Sequence, residues 1–261
     1  MSLTAQSIPG DGELSYPRVC AHRGFNTVAP ENSLAAFGAA IALGAPEIEL
    51  DIRFSKDGVP VVAHDSRLER VSNGSGIIEE KTYDELRELD FGVRFSEEFT
   101  GLKILRFDEV LEKFARQVII NLHLKTAEKE GDPEFPRDRM EQILSEIHRF
   151  GQEKHIYFVG DVAVMVSALK YATHIPRCAG AFPGPWEIVD RAILYKCAKV
   201  QLFAPYFNQE MIDKAHRHGI ICNFFHCEDP AEAVKLVSSG IDVILTNDYW
   251  RVSQAVAAMK K

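Results

Sequence analysis

The sequence predicts an α/β fold, a (β/α)8 barrel, and three observations carry that expectation. Strand-like and helix-like segments alternate with short connections along most of the chain. Eight strand–helix units can be counted in 261 residues, the usual length for such a barrel. No linker or low-complexity stretch divides the chain, so residues 1–261 read as a single domain. A doubly wound open sheet is the alternative arrangement of the same units.

In chain order the units begin with a strand near residues 18–24 and a helix near 31–44. A hairpin follows, with strands near 47–54 and 60–64, of which only the first counts as a barrel unit. The next helix lies near 107–116. Strand 117–125 then leads to helix 136–151, strand 155–160 to helix 162–172, and strand 177–182 to helix 186–195. Strand 199–203 leads to helix 208–218, strand 220–226 to helix 230–239, and strand 242–246 to helix 249–259. Residues 66–104 break the rhythm. They hold Asn73-Gly74-Ser75-Gly76 as a turn and a short helix announced by Thr82 with Glu85 three residues on, the spacing of a capping box. Such an insertion belongs near the C-terminal rim of a barrel, as a lid or a substrate-shaping subdomain.

The segment Glu47-Ile48-Glu49-Leu50-Asp51-Ile52-Arg53 shows where the chemistry lies. Alternate side chains of a strand share a face, so Glu47, Glu49, Asp51 and Arg53 point one way and the three aliphatic residues the other. In a parallel sheet whose apolar side is covered by helices, the charged side faces the layer that the helices do not reach. Carboxylates held that close repel and are costly to desolvate alone, so a cation belongs beside them. A divalent metal meets that need.

Composition narrows the class. A hydrophobic fraction of 46% and a charged fraction of 26% describe a sizeable globular unit with an ample core. A formal net charge of -8 and the lack of a basic run argue against nucleic acid as a partner. Cys20, Cys178, Cys197, Cys222 and Cys227 match neither a disulfide framework nor a CxxC zinc site, and are expected reduced and mostly buried. No apolar run approaches the roughly 20 residues that span a bilayer, and the N-terminus lacks a signal-peptide core. A cytoplasmic protein without stable membrane insertion is the expectation.

Active sites of barrels lie at the C-terminal ends of the strands, and the reactive residues fall there. His22 and Arg23 close the first strand, Glu49 and Asp51 lie late in the second, and His64 ends its hairpin partner. The segment from Val118 to Lys125 repeats the inverted pattern, with Asn121, His123 and Lys125 alternating with Ile120, Leu122 and Leu124. Two imidazoles suit general acid and base work at neutral pH. Arg23 and Lys125 suit an anionic group, and Glu49 with Asp51 suits a hard divalent metal. Together they point to metal-assisted chemistry on a phosphate ester. A bland reading competes: the carboxylates could pair with Arg53 and Lys125 as an ionic network, and a lone strand-end histidine is commonly structural. His-Arg-Gly closing one strand and His-Asp another favour catalysis. His148, His155, His174, His216 and His218 are expected as surface or cap residues.

The runs His22-Arg23-Gly24, Pro30-Glu31-Asn32-Ser33, Glu47 through Gly76, and Gly240 through Asp248 resemble the glycerophosphodiester phosphodiesterase family, with a match from about residue 18 to 250. The resemblance implies a TIM-type barrel, the insertion 66–104 as a small subdomain, and glycerophosphodiesters such as glycerophosphocholine as substrates. It implies His22 and His64 as the acid/base pair, Arg23 and Lys125 on the phosphate, and Glu49 and Asp51 on the metal. The implied reaction is attack by the glycerol 2-hydroxyl to give a cyclic phosphate, which water opens to glycerol 3-phosphate.

Two positions depart from the family pattern. Where the family has a third metal carboxylate, two residues before the lysine, this chain has His123. A neutral nitrogen makes the site less negative, so His123 is expected as a ligand, with magnesium or manganese favoured over calcium and zinc also admitted. Phe225 stands where the family commonly carries tryptophan, which keeps an aromatic ring against the substrate, and His226 beside it is unusual at the mouth. A lyase of the sphingomyelinase D type, stopping at the cyclic phosphate, and a non-catalytic phosphodiester-binding homologue are the competing functions.

Overall fold

A computed structural model describes residues 7–126, 134–180 and 183–259. The strands are β1 (Arg18–Ala21), β2 (Glu47–Phe54), β3 (Pro60–Val62), β4 (Ile119–Leu124), β5 (Ile156–Gly160), β6 (Arg177–Ala179), β7 (Lys199–Leu202), β8 (Ile221–Phe224) and β9 (Val243–Thr246). All but β3 run parallel, each beside the next, and β1 pairs with both β2 and β9, so the sheet closes on itself. The closed ring rules out the open-sheet alternative. β3 runs antiparallel to the end of β2 and stays outside the ring. The expected strand 177–182 is seen as far as Ala179, and residues 181–182 lie outside the described residues.

Helices α1 (Leu34–Ala42), α3 (Phe107–Phe114), α4 (Arg137–Phe150), α5 (Val162–Tyr171), α6 (Ile188–Leu194), α7 (Gln209–Arg217), α8 (Pro230–Ser238) and α9 (Tyr249–Ala258) connect the strands, and α2 (Tyr83–Glu88) belongs to the insertion. Ile48, Leu50 and Ile52 of β2 join Phe37 and Ala40 of α1 and Val110 and Leu111 of α3 in the core between barrel and helices. Glu47, Glu49 and Asp51 are buried on the opposite face, inside the ring. The alternation of β2 thus sorts its carboxylates inward.

The floor of the barrel, at the N-terminal ends of the strands, is closed by residues 7–17. Ile8 and Leu14 pack against Ile119, Tyr157, Val159 and Cys178. Asp11 accepts Arg18 Nη2 at 2.7 Å and Lys199 Nζ at 2.9 Å, and Arg18 Nη1 lies 3.6 Å from Glu47. The Tyr157 hydroxyl donates to Glu47 Oε1 at 2.5 Å and accepts from Asn223 Nδ2 at 2.9 Å. Two acids and two cations are buried here, which is tolerable because they are paired and hydrogen-bonded.

The insertion has a small apolar cluster of its own, in which Leu68, Ile78, Leu86 and Ile104 pack on Val61 and Ala63. The capping box forms: Thr82 Oγ1 accepts from Glu85 N, and Glu85 Oε2 accepts from Thr82 N at 2.8 Å. Gly92 is required, since a Cβ there would lie 1.8 Å from Phe99 O. All five cysteines are buried and free. Among the described residues no helix is long and apolar enough to cross a membrane. One expectation is corrected: His155 is buried, its Nε2 2.8 Å from Ile8 O, because residues 7–17 fold back over it.

Candidate active site

The site is assembled from the ends of β1, β2 and β4 and the loops beyond them. Strand pairing of β1 ends at Ala21, and His22 N still donates to Thr246 O at 2.9 Å. The chain then turns through the left-handed region at Arg23 (φ 55°) and Gly24 (φ 82°). A Cβ on Gly24 would lie 2.6 Å from the carbonyl carbon of Ala36, so glycine lets the start of α1 approach the strand end. The segment Glu31-Asn32-Ser33 has a task for each side chain. Ser33 caps α1 by accepting from Ala36 N at 3.1 Å, Asn32 Nδ2 donates to Asp51 Oδ2 at 3.0 Å, and Glu31 accepts from Arg23 and Arg70.

Beneath the opening, Glu49, Asp51 and His123 offer three ligand atoms that all lie within 4.8 Å of one another. The register aligns Asp51 with His123 across the β2–β4 pair. Asp51 Oδ1 is buried and accepts no hydrogen bond, with ion-pair contacts to Lys125 Nζ at 2.9 Å and His123 Nδ1 at 3.5 Å. Lys125 Nζ donates to His123 Nδ1 at 3.0 Å, so that nitrogen carries no proton, and a cation bound here would take its lone pair in place of the ammonium. Burial, followed by the nearby Lys125, holds His123 well below its ordinary value and neutral. Burial and then repulsion from Asp51 push Glu49 well up, whereas at Asp51 burial is outweighed by Lys125 and its other basic neighbours together, which hold it well down. Two buried carboxylates and a half-buried, neutral imidazole that converge suit a divalent cation. Arg53 does not join them; it pairs with Glu79 at 2.8 Å instead.

Two imidazoles flank the opening. His22 Nδ1 donates to Asn247 Oδ1 at 2.8 Å, an oxygen that also accepts Asn26 Nδ2 at 2.6 Å. Its other nitrogen is left as a lone pair, 3.8 Å from Glu49 Oε2. Burial, then Arg23, push His22 down to about 4. His64 Nδ1 donates to Asp65 Oδ1 at 2.7 Å, and Arg70 Nε binds the other oxygen of Asp65 at 2.5 Å. Against burial, Arg70 and His64 hold Asp65 at about 2. His64 is lowered by burial and partly restored by Asp51. Each ring is thus pinned through Nδ1 and free at Nε2, the form required of a proton carrier.

His22, Arg23, His64 and Phe225 line one cleft of about 410 Å³, together with His226 and residues of the insertion. The Phe225 ring meets His22 edge-on at 5.1 Å. Sequence reasoning missed Asn26, Asn247 and Asp65, which orient the histidines, and Arg70 and Glu31, which tie the insertion to the rim. It also missed Glu228, which accepts Asn247 N and Asp248 N at 3.0 Å and holds the loop after β9. A signal existed for some: Glu31, Asn32, Asp65 and Asn247 sit inside the runs that carried the resemblance.

A profile of the glycerophosphoryl diester phosphodiesterase family matches residues 22–249. A glycerophosphodiester phosphodiesterase of Caldanaerobacter subterraneus subsp. tengcongensis is 30% identical over 240 residues, covering 88% of this chain and 93% of that protein. A phosphodiesterase of Oleispira antarctica, solved in complex with the product sn-glycerol-3-phosphate, superposes with a TM-score of 0.82 at 25% identity, covering 93% of this chain and 97% of the other. The glycerophosphodiester phosphodiesterase of Thermotoga maritima shares the fold, with a TM-score of 0.73 at 22% identity over 93% of this chain and 99% of that one. The chain belongs to the glycerophosphoryl diester phosphodiesterase family.

Proposed function

We propose that this enzyme hydrolyses glycerophosphodiesters to glycerol 3-phosphate and an alcohol, with His22 and His64 as proton carriers and a divalent cation held by Glu49, Asp51 and His123. The observation that carries the reading is the pair of Nδ1-anchored imidazoles above a buried two-carboxylate, one-imidazole donor set. His22, neutral at pH 7, takes the proton of the glycerol 2-hydroxyl as its oxygen bonds to phosphorus. His64, whose imidazolium form is stabilised by the Asp65 carboxylate, gives a proton to the departing alcohol oxygen. The cyclic phosphate is then opened by water with the two roles reversed. Arg23 and Lys125 face the phosphate as guanidinium and point charge. When bound, the cation supplies Lewis-acid neutralisation of charge on the phosphoryl oxygens. The insertion, residues 66–104 of a single domain, walls the alcohol side of the cleft.

The test is metal-stripped protein given glycerophosphocholine or glycerophosphoethanolamine, with magnesium, manganese, zinc or calcium added singly. Glycerol 3-phosphate is expected only with metal, and to fall by about 100-fold or more in His22→Ala and in His64→Ala. His123→Ala is expected to weaken manganese binding by at least about tenfold in calorimetry. Accumulation of the cyclic phosphate as end product would replace hydrolysis by a lyase reaction. No product with any metal would leave a binding role.

A further inference from the structure

The cleft is positively charged in a protein of net charge -8. Among its lining residues are four cations, Arg23, Arg70, Arg94 and Lys103, against one carboxylate, Glu31. Two of the four are neutralised: Arg23 by Glu31 and Asp51, and Arg70 by Glu31 and Asp65. Among the described residues the other two have no carboxylate partner. Arg94 donates through Nε to Ser72 O at 3.0 Å, and Lys103 Nζ donates to the carbonyls of Glu88 and Leu89 at 3.2 and 3.3 Å. These contacts hold the charges in place without cancelling them. The carboxylate that feels Lys103, Asp90, is bound by the N–H groups of Gly92, Val93 and Gly101.

Both unpaired cations stand on the insertion, and the insertion adjoins His64. Val62 N, two residues before His64, donates to Leu105 O at 2.9 Å, which sets Lys103 and Ile104 along the wall beside that histidine. On the reading above, which this inference rests on, His64 protonates the departing alcohol. The alcohol therefore lies against Arg94 and Lys103. Phe91 and Phe95 line the same cleft and would cover carbon, but two cations without a carboxylate partner in that cleft repel a quaternary ammonium. We propose that Arg94 and Lys103 form a subsite for a second anionic group, so that the preferred substrates are glycerophosphodiesters whose leaving alcohol itself carries a phosphate.

The experiment compares kcat/KM for bis(glycerophospho)glycerol, whose alcohol bears a second phosphodiester, glycerophosphoglycerol, whose alcohol is uncharged, and glycerophosphocholine. After a factor of two for its two equivalent bonds, the first is expected to exceed the second by about tenfold, with choline lowest and the gap shrinking at high salt. The double substitution Arg94→Gln, Lys103→Gln is expected to bring the ratio of the first two toward one, a reading that a general loss of activity does not move. An equal ratio in the parent, or one unchanged by the substitutions, would overturn the subsite while leaving hydrolysis standing. If none of the three releases glycerol 3-phosphate, the hydrolytic reading fails, and calorimetry with bis(glycerophospho)glycerol decides the subsite. A Kd about tenfold weaker in the double variant supports it, and equal Kd values overturn it.

Discussion

Asp65→Asn keeps the shape of the residue behind His64 and removes its charge. In the parent, one oxygen of Asp65 accepts His64 Nδ1 at 2.7 Å and the other accepts Arg70 Nε at 2.5 Å. An amide must turn its oxygen to one neighbour and its NH2 to the other. Arg70 can only donate, so the oxygen faces Arg70 and the NH2 faces His64. The ring must then accept at Nδ1 and carry its proton on Nε2, and its doubly protonated form loses its counter-charge. A hydrogen bond to a charged group contributes about 1.5–3 kcal/mol, so kcat is expected to fall roughly 10- to 150-fold with little change in KM. Stability changes less. Asp65 titrates at about 2 against an ordinary 3.8, a gap of about 2 kcal/mol before screening and nearer 1 with 30% of the side chain exposed. A lowered carboxylate stabilises the fold above its ordinary value and loses that contribution as pH falls from about 4 through about 2. The deficit of the variant should therefore be visible in urea unfolding at pH 7 and fall to about a third by pH 2.5. Steady-state kinetics from pH 5 to 9 decide the main point: a folded variant with kcat within twofold of the parent refutes the assignment of Asp65 as the group that orients His64.

Glu146 on α4 has one buried oxygen without a hydrogen-bond partner, and burial with the nearby Asp108 pushes it up to about 7. A raised carboxyl stabilises the fold fully below its ordinary value and loses that contribution as pH rises through about 7. Glu146→Gln should therefore be more stable than the parent by about 1–2 kcal/mol at pH 8, after discount for partial exposure, and about equal at pH 4.5; identical unfolding curves at pH 8 would contradict this. Gly24→Ala meets both a left-handed φ and a 2.6 Å approach to Ala36, so a loss of at least about 3 kcal/mol, or roughly 6–12 °C in Tm, is expected together with loss of turnover. A melt within 2 °C of the parent would show that α1 can yield there.

The barrel was legible because each strand carries its own periodicity. β2 alternates charged and apolar residues along its length, and β4 alternates polar and aliphatic ones from Ile120 to Leu124, and that alternation placed Glu49, Asp51 and His123 together on the inner face with Lys125 just beyond. His22, Arg23 and His64 were legible as polar residues at strand ends. What was not legible depends on loops that meet across the chain. Asn247 reaches His22 over 225 positions, and Arg70 reaches Glu31 over 39; no local pattern encodes either contact. Arg94 and Lys103 carry no signal in the sequence, because only the folded insertion brings them to the cleft. His155 was misjudged for the same reason, since its cover comes from residues 7–17.

The floor of the barrel bears on how the chain can be divided. Asp11 comes from the segment before β1, and Arg18 and Glu47 come from β1 and β2, whereas Lys199 comes from β7. A fragment ending after β4 would hold two acids and one guanidinium, and its complement a lysine with no acid beside it. Neither half-barrel has a neutral floor, and a lone buried charge is strongly destabilising. The charges cancel only in a piece that reaches from Asp11 through β7, so chimaeras or split versions of this enzyme should keep Lys199 and its acidic partners from the same parent.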